Sequence, residues 1–264
     1  MHPEIVRSAA FVAGLLTFLS WEVVAPDHAD TAPKGRRIAT NLSLAILNGA
    51  VIGALWGLSA ELALRPNAPW RLRVFSAMAV WPIARVVAEV LLLDLVQYWL
   101  HRLYHLQPFF WRFHRIHHTD LDLDASSASR FHLGEVGTSA VAKLAVVATL
   151  GVSPAGLLAF EVTLLVCAQF QHANIRLPRF IESALWWIVV PPAMHRVHHR
   201  PDVADTNSNY GTILTLWDRL FGSLRATALV NDAFGLAEFR RFDRLSLPRL
   251  LKLPFEGRSS SVES

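Results

Sequence analysis

The chain has 264 residues, 53% hydrophobic and only 17% charged, with a formal net charge of +4, whereas a soluble domain carries about 25% charged residues. Its apolar residues lie in long blocks, which excludes an ordinary soluble globule and points to an all-α fold, an integral membrane helical bundle with one polar functional region. A single cysteine, Cys167, excludes an intramolecular disulfide and any cysteine-rich metal site, and scattered basic residues without a nucleic-acid motif exclude nucleic acid as a partner.

A spanning helix needs about 20 mostly apolar residues. Ile5 to Val24 is the first such run, closed by Pro26 and the polar DHADTAPKGRR. No small-residue cleavage site follows it, so it is expected to stay attached. Thr40 to Leu64 is the second run, ended by RPNAPWR, and Val74 to about Leu100 is the third, with Pro82 as a kink. A polar, histidine-rich stretch follows from His101 to Glu135. Val136 to Leu150 and Pro154 to Phe170 then flank the turn GVSP. They are short for spans, so two tilted spans and a re-entrant hairpin both fit. Cys167 sits in the second of them as a small core residue. ALWWIVVPP, residues 184–192, is too short to span, and its tryptophans suit an interface. The tail FEGRSSSVES is expected to be disordered. The chain thus divides into N-terminal spans and loops (1–73), a histidine-bearing membrane domain (74–225) and a C-terminal segment with its tail (226–264).

Orientation follows from arginine placement. Arg102, Arg112, Arg115, Arg130, Arg176, Arg179, Arg196 and Arg200 surround the histidine-rich stretches and argue for the cytoplasmic side. Counting back through three spans puts KGRR inside and the N-terminus outside. Arg65, Arg71 and Arg73 then fall outside, against the rule. Lys34, Lys143 and Lys252 are the only lysines. This arginine bias, with much alanine and leucine, points to a GC-rich bacterial genome and hence an inner membrane.

Of the twelve histidines, His2 and His28 lie in terminal or loop contexts and read as surface residues. The other ten lie between 101 and 199. HRLYH places His101 and His105 one turn apart, and at about 100° per residue Asp94, Gln97, His101 and His105 share one stripe. Ionisable residues in a span are costly and usually face an interior or a cavity. The third span is therefore expected to deliver two imidazoles to a site at the cytoplasmic membrane edge, with Asp94 or Gln97 behind them. HRIHH (His114, His117, His118) and HRVHH (His195, His198, His199) each set three imidazoles on one helix face. Such an arc grips one metal ion, or two ions share it, and neutral imidazoles are the commonest metal ligands. His132 in RFHLGE and His172 in QHANI carry weaker local signals and join the candidates through the pooled site. Imidazole suits Fe, Zn, Cu and Ni alike, eight to ten ligands exceed what one ion takes, and the zinc-protease motif HExxH is absent.

HRLYH, HRIHH, HRVHH, the isolated His172 and the downstream NYG…LWDRLFG together resemble the fatty acid hydroxylase/sterol desaturase superfamily of integral-membrane, non-haem di-iron oxygenases. The likeness covers about residues 85–225, and SNYGTILTLWDRLFG is nearest the sterol-desaturase and alkylglycerol-monooxygenase-like branches. The resemblance implies that His101, His105, His114, His117, His118, His195, His198 and His199 are metal ligands, and extends the role to His132 and His172. Leu133 departs from a common HPxE pattern, and one histidine stands at 172 where some relatives have a pair. Asp120, Glu135, Asn209, Tyr210 and Asp218 are candidates for the acceptors that orient ligating imidazoles. Trp217, Leu220 and Phe221 read as an amphipathic membrane-edge helix.

The resemblance further implies two Fe ions, with zinc as a substitute in recombinant protein, O2 as co-substrate, and hydroxylation of a fatty acyl, sterol-like or ether lipid. No flavin, nicotinamide, haem-attachment or iron–sulfur signature is visible, so electrons are expected from an external ferredoxin- or cytochrome-type donor. Desaturation at the same site is the alternative within the chemistry. A bis-histidine haem-b carrier and a metal transporter are the alternatives outside it; HxxHH triplets would leave most imidazoles unused in the first, and one-sided clustering disfavours the second.

Overall fold

The computed structural model describes residues 2–63, 72, 74–77, 81–226 and 233–256. Its described residues are helical, with a single isolated bridge between Val189 and Leu214 and no strand. The principal helices are α1 (Pro3–Val24), α2 (Lys34–Ala63), α3 (Pro82–Leu106), α4 (Pro108–His114), α5 (Leu133–Leu150), α6 (Pro154–His172) and α7 (Pro192–His198). Three of them, α1, α5 and α6, are long and apolar enough to cross a membrane by length and composition.

Proline sets several of the boundaries. Pro82 does not kink a longer helix: it occupies the first turn of α3, where its missing N–H costs nothing. The third apolar run is therefore broken, with a short helix at Val74–Ala77 ahead of α3. Gln107 precedes Pro108, which disfavours helical backbone at that residue, and its extended conformation ends α3 just past His105. In GVSP, Gly151 takes φ 76° to close α5, Ser153 caps α6 by accepting from the Gly156 N–H, and Pro154 opens it. The end of the second expected span at Leu64, the loop carrying Arg65 and Arg71, Arg73, and tail residues 257–264 lie outside the described residues.

α6 is the hub. It packs on α1, on α3, on α7 and on a 3-10 helix at Ala125–Ser129, while α2 packs on α5 and the same 3-10 helix. Two glycines permit the closest approaches: a Cβ on Gly156 would meet Glu89 at 1.9 Å, and one on Gly14 would meet Gln169 at 2.1 Å. Leu93, Val147, Val152, Leu157 and Phe160 fill the space between α3, α5 and α6. A separate core joins Leu44 and Ile116 to Leu245, Leu250 and Leu253, so the C-terminal segment folds back over the histidine-rich stretch.

A second scaffold is polar and buried. Arg37, in the first turn of α2, is 1% exposed. Its guanidinium meets Asp120 Oδ1 at 3.2 Å and Asp124 Oδ2 at 2.5 Å, and donates to the Asp122 carbonyl. Asp122 accepts from the Thr31 and Ala32 N–H groups, and Glu22 from those of Ala125 and Asn174. Arg130 donates to the Ile116 carbonyl at 3.1 Å and to the Thr119 hydroxyl Oγ1 at 2.9 Å, gripping the chain on either side of His117 and His118. Asn41 ties the two arginines together, accepting from Arg130 and donating to Asp120.

Candidate metal centre

Nine imidazoles, none more than 8% exposed, converge beneath this scaffold. They form two groups, each with its potential ligand atoms within 4.8 Å of one another: His101, His105, His114, His118 and His198 in the first, and His117, His172, His195 and His199 in the second. α3 delivers His101 and His105, and α6 runs two residues past its expected end to present His172 at its C-terminus.

The two HxxHH phrases divide between the groups in mirrored fashion. In the first phrase α4 ends at His114, and His117–Thr119 is a 3-10 turn, so the single helix face expected from spacing is not formed. His114 and His118 still meet, Nε2 to Nε2 at 3.2 Å, while His117 turns to the other group and approaches His172 at 3.1 Å. In the second phrase α7 carries His195 to His198, with His199 as its C-cap. His195 and His199 meet at 3.1 Å in the second group and His198 crosses to the first. Each phrase thus gives an i, i+4 pair to one group and its middle histidine to the other.

The chemistry of the donor set fits metal ions. Nε2–Nε2 separations of 3.0–3.2 Å are what two imidazoles show when both bind one ion at about 2.1 Å. The Nδ1–H groups of His101, His198 and His172 donate to the carbonyls of Tyr210 (2.8 Å), Ser208 (2.6 Å) and Ala168 (2.7 Å). This leaves Nε2 of His101 and His198 as buried acceptors with no partner in the protein. Burial first, and neighbouring imidazoles second, holds His117, His118, His195 and His199 well below the ordinary histidine range, and burial pulls His198 down to about 3. Neutral rings are the ligating form.

The expected supporting residues take different places. Glu135 reaches a ring, its Oε1 accepting from His114 Nδ1 at 2.7 Å. Tyr210 supports His101 through its carbonyl rather than its phenol, and its ring packs on His101, His105 and His198. Asn209, at φ 52°, and Asp218 hold that loop: Asn209 bridges Met194 and Arg225, and Asp218 accepts from the Tyr210 and Gly211 N–H groups. Asp94 does not stand behind the histidines. Its carboxylate accepts from Ile213, Leu214 and Trp217 Nε1, because that loop crosses α3 about two turns before His101. Asp120 likewise serves Arg37, Asn41 and Ser127, not an imidazole. Gln97 lines the cavity described below.

His132 stands apart from the nine. Its Nδ1 accepts from the Gly134 N–H at 2.9 Å and so caps α5, its Nε2 faces the Leu251 carbonyl, and its ring stacks on Phe113. It belongs to neither group. Its neighbour Glu135 is the residue of that segment turned to the site. Metal content should therefore survive His132→Ala, which loses a helix cap worth about 1 kcal/mol. Glu135→Gln, by contrast, should weaken binding at the first group about 10–100-fold. Elemental analysis after graded chelation separates the two variants; equal metal loss would place His132 back among the ligands.

Sequence alone missed the backbone acceptors at Ala168 and Ser208 and the buried Arg37, Asn41, Asp122 and Asp124. The alternating DLDLD at 120–124 is the one written sign of the latter.

A cavity of about 650 Å³ opens from the histidines. His101, His114, His117, His172 and His195 form one end, and it continues along α1, α5 and α6 past Phe11, Val147, Leu157 and Leu164. An apolar chamber of this size admits an extended chain far more readily than a polar solute.

A family model described as fatty acid hydroxylase matches residues 86–223, more than half of the chain. Ornithine lipid hydroxylase OlsE of Rhizobium tropici is 30% identical over 145 residues, covering 54% of this chain and 43% of the relative. Alkylglycerol monooxygenase of Homo sapiens is 29% identical over 140 residues, covering 50% of this chain and 29% of the relative. The chain therefore spans less than half the length of these curated relatives. No solved structure matches it.

Proposed function

The chain belongs to the fatty acid hydroxylase family, and on that premise we propose that it is a membrane-bound di-iron oxygenase that hydroxylates a C–H bond of a lipid. The observation that carries this is the pair of closed imidazole groups opening on an apolar cavity. When bound, two Fe ions would supply the O2-activating chemistry. One oxygen atom of O2 enters the C–H bond and the other leaves as water, with two electrons and two protons from an external ferredoxin- or cytochrome-type donor. The names of the relatives, an ornithine lipid hydroxylase and an alkylglycerol monooxygenase, support a lipid substrate here.

The protein's own residues do the rest. Nine histidines would hold the ions, and the carbonyls of Tyr210, Ser208 and Ala168 with the Glu135 carboxylate fix four of the rings in one tautomer. Farther from the rings, Leu164, Val147 and Leu157 give the chamber apolar walls, and a site that excludes water limits side reactions. Membranes containing the protein, given O2 and a reduced donor, should convert an endogenous lipid to a product heavier by one oxygen. With 18O2 that oxygen should carry the label. A product lacking two hydrogens would replace this reading with desaturation; an intense haem absorbance without lipid turnover would replace it with electron transfer.

The placement proposed is a bacterial inner membrane with the histidines on the cytoplasmic side, supported by the arginines that surround them. In a Cys167→Ala background, single cysteines at the exposed Glu238 and Ser246 should react in intact cells only with membrane-permeant maleimides. One at the exposed Ala155, beside the GVSP turn, should react with impermeant reagent. The reverse pattern inverts the orientation.

A further inference from the structure

Lys143 is a charge that the proposed reaction leaves unused. It stands on α5 eight residues beyond Glu135, and both line the cavity. At about 1.5 Å per residue it lies some 12 Å along the helix from the end where Glu135 meets His114. α5 is apolar enough to cross a membrane, and an ionisable side chain at such depth is costly unless it meets a partner or serves a functional cavity. Both carboxylates that face it are committed elsewhere: Glu161 of α6 accepts from Arg7 of α1 at 2.6 Å, and Glu135 from His114 at 2.7 Å. Among the described residues no carboxylate comes within ion-pair distance of Lys143. Glu4, the remaining acid on the cavity wall, is exposed in the first turn of α1.

We propose that Lys143, beside the Arg7–Glu161 pair, anchors the anionic end group of the lipid substrate, a carboxylate or a phosphate ester. This names the substrate class of the oxygenase proposed above and rests on that reading for its chemistry, though not for its binding. The anchor sits a fixed distance from the histidines. Measured along α5 from Glu135 it is about 12 Å, and along α6 from Glu161 to His172 it is about 16 Å. An extended chain advances about 1.2 Å per bond, so the oxidised carbon lies about ten to fourteen bonds from the anion.

The test uses metal-loaded protein in phosphatidylcholine nanodiscs, with radiolabelled palmitate, hexadecyl phosphate and methyl palmitate as probes. Wild type should bind at least one of the two anions, and the arm that binds identifies carboxylate or phosphate. Methyl palmitate should bind at least tenfold more weakly. Lys143→Met, apolar and so compatible with the span, should lose at least tenfold in anion affinity, and Lys143→Arg should retain most of it. Where the bound anion is turned over, Lys143→Met should raise KM at least tenfold, and mass spectrometry should place the new hydroxyl about ten to fourteen bonds from the anion. Anion binding equal in wild type and Lys143→Met, or equal binding of methyl palmitate, overturns the anchor. Lys143-dependent binding without any 18O incorporation overturns the oxygenase and leaves the anchor standing; 18O incorporation indifferent to Lys143 does the opposite.

Discussion

His117→Ala and His198→Ala should each abolish the proposed lipid hydroxylation, and each should cost the protein one of the two proposed metal ions rather than both. The two residues lie in different groups, His117 with His172, His195 and His199, and His198 with His101, His105, His114 and His118. Removing a direct ligand exceeds the 10–100-fold loss typical of a residue that only orients one, so activity should fall by more than about 100-fold. Elemental analysis should read about one ion per chain in either variant, and none in the double variant. His2→Ala, an exposed position before α1, should behave as wild type. Two ions retained in both single variants would break the assignment of separate groups.

Arg37→Met should be the most damaging change away from the histidines. The guanidinium lies among Asp120, Asp122 and Asp124, all at most 2% exposed. Deleting it strands those carboxylates in a dry interior, and breaking a buried pair in this way costs about 3–5 kcal/mol. Arg37→Lys should recover only part of this, because one ammonium cannot repeat a planar fork that spans Asp120, the Asp122 carbonyl and Asp124. Thermal unfolding of purified protein checks the order wild type, Lys, Met. Metal content should fall as well, since Asp120 and Asn41 link Arg37 to Arg130, whose donors hold Ile116 and Thr119 around His117 and His118. A Met variant as stable as wild type would show that the carboxylates find water or protons instead.

The histidine groups were legible because imidazoles at i, i+3 and i+4 carry their chemistry in residue type. Spacing could not show that the first phrase would break after His114, since at the change from α-helix to 3-10 turn the Ile116 carbonyl accepts from Arg130, fourteen residues away. The same limit applies to His132. By residue type it looks like one more ligand, yet its ring is spent on the first turn of α5. The supporting carbonyls of Ser208, Tyr210 and Ala168 have no signature at all, because every residue owns one and only the fold selects which is used. Arg37 illustrates the remaining gap. KGRR counted as surface charge in a topology rule, whereas its last residue, Arg37, is buried by contacts with a segment more than eighty positions downstream.

α3 runs unbroken from Pro82 to Leu106, with Ile83, Val87 and Leu91 exposed along its early turns and His101 and His105 near its far end. It is a rod about 37 Å long whose early turns present apolar side chains outward, the surface a helix offers to lipid. Helices answer a thinner or thicker bilayer by tilting, and a tilt of about 5° displaces the far end of such a rod by about 3 Å. That exceeds the tolerance of any imidazole cluster, so the first group should hold its shape only over a narrow range of acyl length in the surrounding lipid. Reconstitution in phosphatidylcholines from fourteen to twenty-two carbons should give a turnover optimum rather than a plateau, making the enzyme responsive to membrane thickness as well as to its substrate.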